Sequence, residues 1–209
     1  MSAIEKNTMA VDTVNKREKS LDDRRRLTGL SLLTALVIIL QLLALAIRPT
    51  GFFNITLCLV PIVVGAALYG IKAGAWLGFV FGVVVTITDS AAFMVINAPA
   101  TIAVCIVKGV LAGLASSAVY KLLEKKNLFA ATIAASAVCP IVNTGVFALG
   151  CFAFFMPTIS EWAAGAGVEN AVVYLFAGVI GTNFFLELAV NLLLSSAIVT
   201  VIKLVKRGK

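Results

Sequence analysis

Histidine is absent from the 209 residues. Its absence excludes Ser-His and Cys-His dyads, imidazole metal sites and the H-E-x-x-H zinc motif. No phosphate-binding G-x-x-x-x-G-K-[ST] loop occurs either, so any ATP hydrolysis that serves this chain belongs to another polypeptide. Charge is scarce, at 13% of residues, against about 25% in ordinary soluble domains. An aspartyl intramembrane protease needs two aspartates at depth, and Asp89 alone lies near an apolar run, at its end. The cysteines Cys58, Cys105, Cys139 and Cys151 sit in apolar stretches without C-x-x-C spacing. They read as small buried hydrophobes. No catalytic, metal or cofactor site emerges, and the chain is expected not to be an enzyme.

What the sequence has in excess is apolar surface, with 61% hydrophobic residues. A water-soluble fold of this length cannot hide so much, and lipid is the simpler exterior. Apolar runs near the 17–25 residues that cross a bilayer as helix are read at about 27–47, 54–70, 73–95, 101–122, 128–155 and 171–203. The expected fold is an all-α membrane protein, a six-transmembrane-helix bundle. The second run is short and contains Pro61 and Gly65, so tilting, kinking or partial insertion is expected there. Residues 1–26 form a basic tail, with Lys6, Lys16, Arg17, Lys19 and Arg24-Arg25-Arg26, and residues 27–209 form the membrane domain. No A-x-A-like cleavage site follows the tail, so the first helix is expected to remain. A surface helix within the tail is the other reading of that segment.

The net charge of +7 points to a membrane surface because of where it lies. With six spans and an inside start, all basic residues except Arg48 and Lys108 fall on the inner side. This bias places both termini in the cytoplasm. The outer segments near 48–54, 89–100 and 156–170 carry Asp89, Asn97, Glu161 and three prolines, and are expected to cap or gate the outer face.

Gly74, Gly78 and Gly82 repeat at every fourth position, as do Gly109 and Gly113, Ala131 and Ala135, and Ser31 and Ala35. Small residues at this spacing let helices approach closely, either within one bundle or against a partner subunit. Ionisable and amide groups at membrane depth are costly and mark candidate function. Lys108 stands inside the fourth run, where it serves a solute, snorkels, or pairs with Glu187. Asn183, Glu187 and Asn191 form one helical stripe at four-residue spacing. Asn143 follows Pro140 in the fifth run, and Gln41 lies in the first. These amides either order a polar pocket or bond helix to helix. Trp162, Phe52 and Phe53 either close over such a pocket or anchor at the interface.

The segments "LVPIVVGAALYGIKAGAWLGFVFG", "VKGVLAGLASSAVYKLLEKK", "PIVNTGVFALGCFAFF" and "GTNFFLELAVN" resemble the substrate-binding S component of an energy-coupling factor (ECF) transporter. The likeness covers about residues 27 to 204, and the polar "NTG" and "NFFLE" parts look most like the pantothenate-type subgroup. The resemblance implies a bacterial plasma-membrane protein that binds a vitamin from outside. It also implies association with a transmembrane coupling subunit and two ATPase subunits, followed by toppling to release the ligand inward. It carries substrate contacts onto Lys108, Asn143, Asn183, Glu187, Asn191 and Trp162, and partner docking onto Ser31 and Ala35. Ile39 departs from the small residue often seen third in that docking stripe. Pantothenate is the favoured solute. Riboflavin, folate, pyridoxine and hydroxymethylpyrimidine are the alternatives, and a stand-alone secondary carrier is the competing class. The sequence shows no inverted repeat of the kind common in such carriers.

Overall fold

The computed structural model describes residues 3–47 and 57–207. Every regular element among them is helical. The helices are α1 (Ala3–Ile47), α2 (Leu59–Tyr69), α3 (Ile71–Thr88), α4 (Ala91–Leu123), α5 (Leu128–Phe154), α6 (Met156–Gly165), α7 (Ala171–Val173) and α8 (Thr182–Arg207). A π-helical stretch, Tyr174–Gly181, joins α7 to α8. Arg48, Pro49, Phe52, Phe53 and the first residues of the expected second span lie outside the described residues.

The chain divides into two units, Met1–Leu32 and Leu33–Lys209. The first is helical from Ala3 onward. Neither Gly nor Pro occurs before Gly29 to interrupt it, and Lys19 and Asp23, like Asp22 and Arg26, have the four-residue spacing that supports an exposed helix.

Among the described residues five helices are long and apolar enough to cross a membrane: Lys19–Ala46, Ile71–Thr88, Ala91–Leu123, Leu128–Phe154 and the continuous run Ala171–Val205. The expected second span is the exception. Helix α2 has 11 residues, about 16 Å at 1.5 Å per residue, against a hydrocarbon core of about 30 Å. It is nonetheless the most enclosed helix, with Leu59, Ile62 and Val63 fully buried. The third span ends earlier than expected, at Thr88, because the chain turns at Asp89-Ser90. The apolar residues that follow belong to α4, which starts at Ala91 and kinks at Asn97 (φ −153°, ψ 89°). Beyond the kink Asn97 caps the helix, its Oδ1 accepting from the Ala100 N–H at 3.1 Å. Pro99 stands where no N–H is needed. The expected outer segment at 89–100 is thus mostly helical, and residues 156–165 of another form α6.

Within the second unit large apolar side chains stand both inside, as Phe81 and Leu77 do, and on the perimeter. Small residues lie inside, among them Ala73, Ala112, Ala131, Ala135, Ser116, Ser117 and Ser136, while Ile87, Leu149, Phe185 and Leu193 stand on the perimeter more than 65% exposed. In water such a perimeter would be an aggregation surface; acyl chains satisfy it. Together these features make a multi-pass membrane protein.

The small-residue repeats are used inside the bundle. A Cβ added to Gly78 would lie 2.1 Å from the Gly109 carbonyl oxygen, one on Gly74 2.6 Å from that of Gly113, and one on Gly82 2.5 Å from that of Cys105. Helices α3 and α4 therefore run antiparallel in backbone contact. Ala131 and Ala135 of α5 are fully buried, and Ser116 Oγ of α4 donates to the Ala135 carbonyl at 3.1 Å. Ser31 and Ala35 are exposed, one on each side of the boundary between the units.

Candidate functional site

A cavity of about 880 Å³ occupies the end of the bundle where α3 turns into α4 and where α5 passes into α6. The turn carrying Lys125 and Lys126 lies at the other ends of α4 and α5. The size falls within the roughly 300–1,000 Å³ usual for small-molecule sites.

Helix register decides which polar groups reach it. Lys108 comes from α4, Asn143 and Thr144 from α5, Asn183 and Glu187 from α8, and Trp162 from α6; all line the cavity. Asn191 does not. One turn beyond Glu187, it is fully buried and its Nδ2 donates to the Glu187 carbonyl at 2.8 Å. Its place is beneath the cavity, along the same stripe. Asn143 is 5% exposed, and its Oδ1 has no hydrogen-bond partner among the described residues. A buried amide oxygen without a partner costs about 1–3 kcal/mol, so this acceptor is poised for a donor that enters the cavity. The Lys108 ammonium stands 5.0 Å from the Phe147 ring centroid and 6.0 Å from that of Phe81. Both are within the range at which an aromatic face attracts a cation. Aromatic faces moderate the charge while leaving the three N–H donors for a solute.

The aromatic wall is richer than the sequence suggested. Phe93, on the short helical segment before the Asn97 kink, packs edge-to-face on Phe155 (5.0 Å), Phe147 (5.6 Å) and Trp162 (5.6 Å). Tyr174 and Phe184 also line the cavity. Phe93 and Tyr174 lie near the ends of the expected third and sixth spans, and Trp162 lies in an expected outer segment. The apolar run before Asn97 was the available signal, but it reads equally as the end of α3. Tyr174 and Ile180 enter from the π-helical stretch, whose extra residue per turn shifts their direction relative to α8. No periodicity in the sequence announces that.

Sequence reading gave Gln41 and Asp89 little weight, yet they form a buried polar joint. Gln41 Nε2 donates to Thr88 Oγ1 at 3.2 Å and to Asp89 Oδ2, and Cys58 Sγ donates to Gln41 Oε1 at 3.1 Å. Asp89 and Thr88 line the cavity. Among the described residues no cluster of His, Cys, Asp or Glu could hold a metal ion.

Phe52 and Phe53, the other expected closing aromatics, lie outside the described residues. The arrangement as a whole is an aromatic-walled hollow with one ammonium, the two amides of Asn143 and Asn183, and the carboxyl groups of Asp89, Glu161 and Glu187. It has the chemistry to hold a small polar molecule and no constellation for bond-making. Residues 25–199 match the family model described as "ECF transporter, substrate-specific component". No curated protein and no solved structure matches the chain.

Proposed function

Since the chain belongs to the substrate-specific components of ECF transporters, a binding subunit and not an enzyme, we propose that its cavity captures a small water-soluble vitamin or precursor, with pantothenate the favoured solute. Family membership brings with it a coupling subunit and ATPase subunits as partners. The proposed orientation follows the basic residues, with both termini in the cytoplasm of a bacterial cell, α2 completing a six-helix bundle, and the cavity facing outward. Ser31 and Ala35, both exposed, form the proposed docking stripe for the coupling subunit.

The observation that carries the solute class is the Lys108 ammonium held over Phe81 and Phe147 in the same hollow as the unpartnered Asn143 oxygen. In this reading Lys108 receives the carboxylate, while Asn143, Asn183 and Glu187 take hydroxyl and amide groups. Asn191 supports Glu187 from below, and Trp162 closes the aromatic side. Asp89, Glu161 and Glu187 also line the wall and offer acceptors for hydroxyl and amide donors. Pantothenate, acidic at one end and rich in hydroxyl donors at the other, suits that arrangement. The Phe93 cluster favours a second reading, a ring-bearing vitamin such as riboflavin, folate, pyridoxine or hydroxymethylpyrimidine, stacked on the aromatic wall.

Ligand-shift melting of the purified protein against these five compounds separates the readings. Pantothenate is expected to give the largest rise in melting temperature. A larger shift with one of the ring compounds selects the second reading, and no shift with any of them removes vitamin capture.

A further inference from the structure

Gln41 is 1% exposed within α1 and touches no solute space itself; what it touches is Asp89. Its amide donates to one carboxylate oxygen of Asp89 and to the hydroxyl of Thr88, and it accepts from the Cys58 thiol. The three partners come from the α3–α4 turn and from the residue before α2, so the Gln41 side chain is fixed from both of its ends. A carboxylate bonded from behind by a fixed amide has its own direction fixed as well. Asp89 thereby presents a carboxyl group of fixed direction in the cavity wall beside Ser90 and Phe93.

We propose that Asp89, positioned by Gln41, is the second polar end of the solute site and receives hydroxyl or amine donors of a solute whose acidic group rests at Lys108. The inference builds on the reading of this cavity as the capture site and narrows its solute class. Phe81, whose ring centroid lies 6.0 Å from the Lys108 ammonium, precedes Asp89, the residue after α3, by eight residues, about 12 Å of helix rise between their backbones. In this proposal the solute is elongated and bipolar, with its acid at Lys108 and its donors near the α3–α4 turn. A compact symmetric anion would satisfy only one end.

The test pairs a side-chain change with a ligand change. Affinities of the full-length protein are measured for pantothenate and for its analogue lacking both hydroxyl groups. Wild type is expected to prefer pantothenate. Asp89→Asn, which keeps a partner for Gln41, should weaken pantothenate at least tenfold and shift the analogue less than twofold, erasing the preference. Gln41→Leu should act in the same direction more weakly, and Lys108→Met should weaken both compounds alike. Asp89→Glu should recover part of the preference, and it carries the test if Asp89→Asn does not elute as a folded protein. Equal loss for the two compounds, or no loss for either, overturns the role of Asp89. If wild type holds neither compound but another of the five vitamins, the pantothenate assignment alone fails. The same comparison is then run with that vitamin and its deoxy or deamino analogue, and equal loss again overturns the proposal.

Discussion

A lysine at membrane depth costs about 2.5–3.5 kcal/mol on insertion scales, and at position 108 two aromatic faces offset part of that. What they do not supply is an acceptor for its N–H groups. Lys108→Met is expected to weaken pantothenate more than tenfold in a binding titration, and unchanged affinity would remove Lys108 from the site. Asn143 separates site from scaffold in another way. Its Oδ1 is buried with no partner among the described residues, so Asn143→Leu removes no protein–protein bond at that atom and relieves a desolvated oxygen. The ligand-free melting temperature should hold or rise, while affinity falls about tenfold, equivalent to about 1.4 kcal/mol. A lower melting temperature with unchanged affinity would make Asn143 a helix tie. Lys108, Asn143, Asn183 and Glu187 stood out in the sequence because their cost in lipid is large wherever a run is long. Asp89 did not, because it sits at the end of a run, where a carboxylate is ordinary. Gln41 is a single amide, and its importance lies in partners 17 and 48 residues away.

Between elements, the contact of α3 with α4 is the part of the fold most plainly written in the sequence. Glycine at every fourth position on both helices permits backbone contact, and the structure spends both stripes on each other. The partner-docking reading is thereby excluded for these two stripes. Gly78→Ala would drive a methyl to 2.1 Å from a backbone carbonyl oxygen, which only a shift of a whole helix can relieve. A cost of about 1–3 kcal/mol is expected, as for other overpacked sites. Gly145→Ala, with no atom within 4 Å of the added carbon, is the control and should melt at or above wild type. Matching losses in a detergent melting assay would contradict the backbone-contact account. Helix boundaries were less legible. The run 73–95 looked continuous because hydropathy does not register the Asp89-Ser90 turn, and the pairing of Asn97 with Pro99 marks a kink only once the helix around it is known. The π-helical stretch at Tyr174–Gly181 leaves no mark in an all-apolar segment, since no polar residue reports the change of phase.

At the scale of the whole molecule, composition made the lipid-facing perimeter and the all-helical class readable. It could not fix the length of α2, whose 11 residues are enclosed by neighbours instead of spanning by their own hydrophobicity. The asymmetry of the ends now bears on function, since the cavity lies at one end of the bundle and the basic α4–α5 turn at the other. The four cysteines are no more than 4% exposed, so the wild-type chain should be silent to a membrane-impermeant maleimide and offers a clean background. In that background Glu161→Cys, on the exposed face of α6 beside the cavity, is expected to label in intact cells, and Lys126→Cys only after lysis. The reverse pattern would turn the cavity toward the cytoplasm and end the case for uptake. Orientation in turn sets the transport experiment. A binding subunit with no nucleotide site can equilibrate with solute but cannot move it uphill. Liposomes holding this protein alone should therefore bind the vitamin without accumulating it, and accumulation should begin only when the coupling and ATPase subunits are added with ATP inside. Downhill flux through the protein alone would instead make it a stand-alone carrier that uses the same residues.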